Sequence, residues 1–285
     1  SQNTVTSYLR DVKQFETYLQ IDHHCTLREA DPLIHAITNP ISITQCANAV
    51  LALGARPIMA EHPREVEEIT ATAAALLFNL GNITDVRMEA MERSAGAARK
   101  NGVPVVLDAV GVACSRLRRD YANRLLEHFP PAVLKGNYAE INALARPDYT
   151  ASGVDGDKAL TPAAAAPAAG ELARRYDCVV LASGAADLVA DGTGTTAIHN
   201  GTPQLGSVTG TGCMLGALCA CFLAAASPLE AAKAACVTLG VAGEKAATPK
   251  GSGTFLVNLL DQLSTLDGET IQACERTEEF CNEEP

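Results

Sequence analysis

Short apolar runs, many of them β-branched, recur along the first two thirds of the chain. They are LIHAIT (33–38), PIMA (57–60), ALLFNLG (75–81), PVVLDAVG (104–111), AVLKGN (132–137) and CVVLAS (178–183). Continuous apolar runs of this length, bounded by turn residues, read as strands buried on both faces. Between them lie amphipathic stretches at 41–53, 64–74, 85–100 and 117–128, and a further helix follows Gly136. This alternation predicts an α/β fold with a mostly parallel central sheet and helices on both faces. DLVADG (187–192) and TTAIHN (195–200) flank a Gly-containing turn and predict a hairpin at the sheet edge. From Gly210 the texture changes: 210–225, 228–248 and 252–265 are rich in Ala and Leu and predict a helical C-terminal third. LTPAAAAPAAG (160–170) reads as a helix opened by Pro162. Val5, Leu9, Val12 and Phe15 fall at helical spacing, and the tail CERTEEFCNEEP reads as acidic and frayed. No repeat or linker divides the chain, so residues 1–285 are expected to form one domain.

Composition narrows the function more than the fold. A net charge of -11 argues against a nucleic-acid partner, because neutralising phosphates needs a cationic surface. It leaves room for a nucleotide, since clustered backbone N–H groups hold phosphate inside an acidic protein. No apolar stretch approaches the roughly 20 residues of a membrane span, and SQNTVTSYLR does not read as a secretory signal. The expected location is cytoplasmic. The 10 cysteines include no CxxC pair. Cys25, Cys46, Cys114, Cys178 and Cys236 lie singly and read as buried free thiols, and Cys219 and Cys221 fall on different faces of one helix.

Four segments carry candidate chemistry. In VTGTGC (208–213), Gly210, Thr211 and Gly212 stand directly before a strong helical run. The first N–H groups of a helix have no partner within it and sit at its positive end, so this segment is a potential anion cradle. Cys213 falls in the first helical turn, a position that favours the thiolate. A Gly-rich connection into a packed helix explains the same pattern equally well. Asp108 in LDAVG ends an apolar strand, the edge where open parallel sheets bind ligands. A carboxylate there suits Mg²⁺, and a turn aspartate is the plainer alternative. In KGNYAE (135–140), Lys135 can face phosphate and Glu140 can reach a metal. Asn137 and Glu140 also have the spacing of a capping box. Asn39, between a strand and a helix, can supply a polar group to an apolar pocket or simply make an Asn-Pro turn. Met59 ends a strand and reads, taken alone, as a core methionine.

In this order the segments resemble the hydroxyethylthiazole kinase family. HAITNPISITQCANAVLALGARPIMAEHPREVEE is similar to the family's opening, and FNLG, VPVVLDAVG, LKGNYAEI, VTGTGCM and GSGTF (251–255) follow at family-like spacing over roughly residues 30–260. The resemblance implies a ribokinase-like α/β fold and ATP-dependent phosphorylation of 4-methyl-5-(2-hydroxyethyl)thiazole, a thiamine salvage step. It also implies a homotrimer with sites at subunit boundaries. By position it assigns Met59 and Gly210 to substrate, Lys135 and Ser183 to ATP, Asp108 and Glu140 to Mg²⁺, and catalysis to Cys213. Three positions depart from the family pattern: Ala109 replaces Pro, Lys135 replaces Arg and Ser183 replaces Thr. Lysine keeps the charge but not the bidentate fork. Rival readings are a hydroxymethylpyrimidine kinase, a dehydratase of hydrated nicotinamide nucleotides on the same fold, and a non-catalytic binding protein.

Overall fold

The computed structural model describes residues 20–21, 25–146, 148–149 and 160–280. Its centre is a nine-stranded sheet. The strands are β1 (Leu33–Ile37), β2 (Arg56–Ile58), β3 (Ala75–Asn79), β4 (Val105–Asp108) and β5 (Val133–Asn137), then β6 (Val179–Ser183), β7 (Asp187–Ala190), β8 (Thr195–Ile198) and β9 (Thr277–Phe280). Their order across the sheet is 9-8-7-6-5-4-3-1-2. β2 through β6 and β1 pair in parallel, and β7, β8 and β9 add antiparallel strands along one side.

The parallel strands alternate between two apolar layers, as a period of two requires. Ala75 and Leu77, Val106, and Val133 pack on the layer that holds helices α7 (Thr211–Leu223), α8 (Pro228–Ala246) and α9 (Ser252–Thr265) together with α1 (Ile43–Ala52). Leu76 and Phe78, Leu107, and Leu134 pack on the opposite layer. That second layer takes residues from α3 (Asp85–Asn101), α4 (Arg116–His128), α5 (Tyr138–Ala145) and α6 (Pro162–Tyr176). Helix α2 (Val66–Thr72) packs against α3. α7 is buried on nearly every side, which explains its unbroken apolar sequence.

Several expectations change in detail. The 187–200 hairpin forms, yet it is not the sheet edge: β9 pairs with β8 from Thr195↔Phe280 to Ile198↔Thr277. The tail therefore contributes a strand instead of fraying through that stretch, and α10 (Gly268–Cys274) precedes it. Main-chain pairing to β8 does not depend on apolar side chains, so the charged TEEF sequence hides it. α6 continues past Gly170 to Tyr176, carrying Pro167 within it. Cys46, Cys178 and Cys236 are buried as expected, but Cys114 is exposed because it sits in the loop before α4. Cys219 and Cys221 are both buried, since α7 is enclosed on all sides from Met214 to Leu223. The helical pattern at Val5–Phe15 and the side chain of Cys25 lie outside the described residues. Among the described residues no helix is long and apolar enough to cross a membrane.

Candidate functional site

Strand register builds one side of the site. Asn79 pairs with Asp108, Asp108 with Lys135, and Asn137 with Ser183, all at the carboxyl ends of parallel strands. Asn79, Asp108 and Lys135 share the parity of Leu77, Val106 and Val133, so their side chains project toward α7. Lys135 Nζ donates to Asp108 Oδ1 at 2.9 Å, and Asn79 Nδ2 donates to Asp108 Oδ2 at 2.8 Å. The pair fits beneath α7 because position 216 is glycine: a Cβ there would stand 3.3 Å from Leu77 Cδ1 and 3.5 Å from Asp108 Oδ2.

Electrostatics at this floor follow from burial. Burial pushes the Asp108 carboxyl above its ordinary range, against the pull of Lys135 and Asn79. Burial alone would lower Lys135, but Asp108 in contact, with Cys213 and Glu140 nearby, holds the ammonium above its usual value. Glu140 closes a capping box at the start of α5: Asn137 Oδ1 accepts from Glu140 N at 2.9 Å, and Glu140 Oε2 accepts from Asn137 N at 2.7 Å. Its other oxygen, Oε1, accepts from Gly111 N at 2.6 Å. Burial nevertheless raises this carboxyl to about 7, because two backbone donors only partly replace water.

The opposite wall is the start of α7. Gly210 caps the helix with φ +96°, a left-handed conformation that glycine adopts without strain, and no side chain caps the terminus. The first bond to Gly210 O comes from Met214 N at 2.8 Å. The N–H groups of Thr211, Gly212 and Cys213 therefore precede the helical ladder, at the positive end of the dipole, in a segment that lines the cavity. Thr211 Oγ1 donates to Leu205 O at 2.7 Å, tying the Pro203–Ser207 turn to this terminus. Cys213 Sγ receives Asn79 Nδ2 at 3.3 Å and Asn39 Nδ2 at 3.5 Å.

The two walls enclose a cavity of about 700 Å³. Asn39, Asp108, Lys135, Glu140 and Ser183 line it, as does the whole 210–213 segment. Ser183 Oγ donates to Gly136 O at 3.4 Å. Of the residues singled out in the sequence, only Met59 is absent from the lining; it is half-buried against the α7-side core. Two residues in or beside the site were not singled out. Asn79 links Asn39, Asp108 and Cys213, and its signal was a lone amide closing an apolar strand. Arg118, at the start of α4, lines the cavity with one long bond from Nη1 to Val110 O at 3.4 Å. Three other arginines within the stretch 116–124 obscured it.

The Hydroxyethylthiazole kinase family profile matches residues 25–269. Hydroxyethylthiazole kinase 2 of Clostridium botulinum (strain Langeland) is 42% identical over 245 residues, covering 84% of this chain and 92% of that protein. The hydroxyethylthiazole kinase structure from Pyrococcus horikoshii OT3 superposes with a TM-score of 0.82 at 35% identity, over 94% of this chain and 98% of that one. Staphylococcus aureus pyridoxal kinase, in complex with AMP-PCP and pyridoxal, superposes with a TM-score of 0.59 at 14% identity, covering 78% of this chain and 91% of that one. That likeness concerns the fold, which is ribokinase-like.

Proposed function

Because this chain belongs to the hydroxyethylthiazole kinase family, we propose that it transfers the γ-phosphoryl group of ATP to the hydroxyl of 4-methyl-5-(2-hydroxyethyl)thiazole, a step of thiamine salvage. One observation carries the reading. A single cavity joins an uncapped helix terminus bearing Cys213 to a floor of buried acid, amide and ammonium groups. The first suits a phosphoryl group, and the second holds charge near it.

In this reading the alcohol oxygen forms a bond to the γ-phosphorus as the bond to the β–γ bridging oxygen breaks. Cys213 accepts or orients the hydroxyl proton, which leaves to solvent. Cys213 assists and the amides of 211–213 do most of the work, because the developing charge lies on the transferring phosphoryl group. Phosphoryl transfer has a loose transition state in which positioning and electrostatics dominate. Asn39 and Gly210 contact the alcohol. Lys135 and Ser183 serve the nucleotide side, and Arg118, which makes no carboxylate contact among the described residues, reaches the polyphosphate.

Asp108 and Glu140 would hold Mg²⁺. Both are buried carboxyl groups that line the cavity, and their hard oxygens suit this ion. Among the described residues no group of three or more His, Cys, Asp or Glu could hold a metal ion. Nucleotide phosphates and water would complete the coordination. When bound, Mg²⁺ neutralises charge on the phosphate oxygens.

We place the enzyme in the cytoplasm as a homotrimer with sites at subunit boundaries. Two observations support the trimer: Met59 lies outside the cavity of the single chain, and Ile41, on the cavity rim, is 63% exposed. Light scattering tests the assembly. Incubating the protein with Mg·ATP and the thiazole alcohol, then weighing the product, tests the activity. The phosphate ester is expected. A hydroxymethylpyrimidine ester in competition, with no thiazole ester, would overturn the choice of substrate.

A further inference from the structure

The cavity floor contains an ordered relay of amides. Asn39 Oδ1 accepts from Ile41 N at 3.1 Å and Ser42 N at 3.1 Å, so its NH₂ group must point the other way. That NH₂ donates to Asn79 Oδ1 at 2.9 Å. Gly81 N also donates to Asn79 Oδ1, at 2.9 Å. With two donors at its oxygen, Asn79 can only turn its own NH₂ toward Asp108 Oδ2 and Cys213 Sγ. Glycine is required beside it: a Cβ at position 81 would stand 2.8 Å from Asn79 Oδ1 and 2.9 Å from Asn39 Nδ2. Both amide orientations thus follow from backbone N–H groups.

We infer that Asn79 is a positioning residue for phosphoryl transfer, aligning the Cys213 sulfur and the Asp108 carboxylate with its two N–H donors. The inference rests on the proposed phosphotransfer. Asn39 and Asn79 occupy the acceptor side of the sulfur, which leaves the cavity side for the hydroxyl. The second donor holds Asp108 against rotation while Lys135 holds the other oxygen. Asn79 itself is fully buried and is reached through these two groups.

The test is Asn79→Asp, which keeps the shape and the acceptor for Gly81 and Asn39 but removes both donors. Asn79→Ala removes both donors without a second carboxylate beside Asp108, and serves both as control for the added charge and as substitute should the first variant not fold. Wild-type turnover is measured first, so failure of the phosphotransfer reading shows itself separately. The folded variant should lose about tenfold or more in kcat, with KM for alcohol and ATP within about threefold. Iodoacetamide labelling of Cys213, followed by peptide mass, should slow several-fold. Labelling needs no turnover and would not respond to a merely space-filling side chain. A folded variant with kcat and labelling within about twofold of wild type would overturn the inference. So would a loss confined to KM, or a fall in kcat with unchanged labelling.

Discussion

The Lys135 ammonium lies 2.9 Å from Asp108 Oδ1 with both side chains buried, which holds this cation at the floor of the cavity. Removing one member of a buried ion pair strands the other charge. Lys135→Met is therefore expected to cost about 3–5 kcal/mol of stability, measured by urea unfolding. A loss below about 1 kcal/mol would mean that Asp108 finds another partner or gives up its charge. Lys135→Arg should fold, and its second donor arm should lower KM for ATP.

Arg118 makes the complementary prediction. Its guanidinium lines the cavity and makes no ion pair among the described contacts. Arg118→Ala should raise KM for ATP by about tenfold while leaving kcat within about threefold. The effect should shrink at high salt, where charge attraction is screened. Steady-state kinetics at two ionic strengths provide the check.

The two glycines of the cradle should separate fold from chemistry. A Cβ on Gly212 meets nothing within 4 Å, so Gly212→Ala should preserve stability or raise it by about 0.5 kcal/mol. Its methyl would nevertheless stand at the helix terminus and reduce kcat/KM by about tenfold. Gly210 has φ +96° and would bring a Cβ to 3.1 Å from Ser42 Cβ, so Gly210→Ala should cost about 1–2 kcal/mol. Thermal melts beside kinetic assays test both, and equal stability losses would refute the distinction.

Replacing Cys213 by Ala should slow turnover by about 10- to 100-fold without abolishing it, since the amides of 211–213 remain. Complete loss of turnover with nucleotide binding intact would make the thiol the principal device instead. Product formation over long incubations distinguishes the two.

Glu140, raised to about 7 by burial, gives a proton-linked prediction. Between the ordinary carboxylate range and pH 7 the folded state binds more protons than the unfolded one. Its contribution to stability therefore declines as pH rises through that window. Mg²⁺ with nucleotide favours the charged form, so binding at pH 7 should release on the order of half a proton. Calorimetry in two buffers of different ionisation enthalpy reads this release. Proton uptake would contradict the assignment.

Hydrophobic periodicity by itself determined the six parallel strands and most helices, because burial on one face or two imposes a period that survives any detail of packing. The ordered motifs likewise determined the family and the chemistry-bearing part of the cavity lining: Asn39, Asp108, Lys135, Glu140, Ser183 and the 210–213 cradle. Only the tertiary structure decided how these groups meet. That Lys135 is spent on Asp108 and that Asn79 joins Cys213 to Asp108 depend on register between strands distant in sequence. β9 also emerged only in three dimensions, since its pairing is made by backbone groups that every sequence carries. Local pattern records which face a residue shows; contacts across the sheet are fixed by the pairing of whole strands.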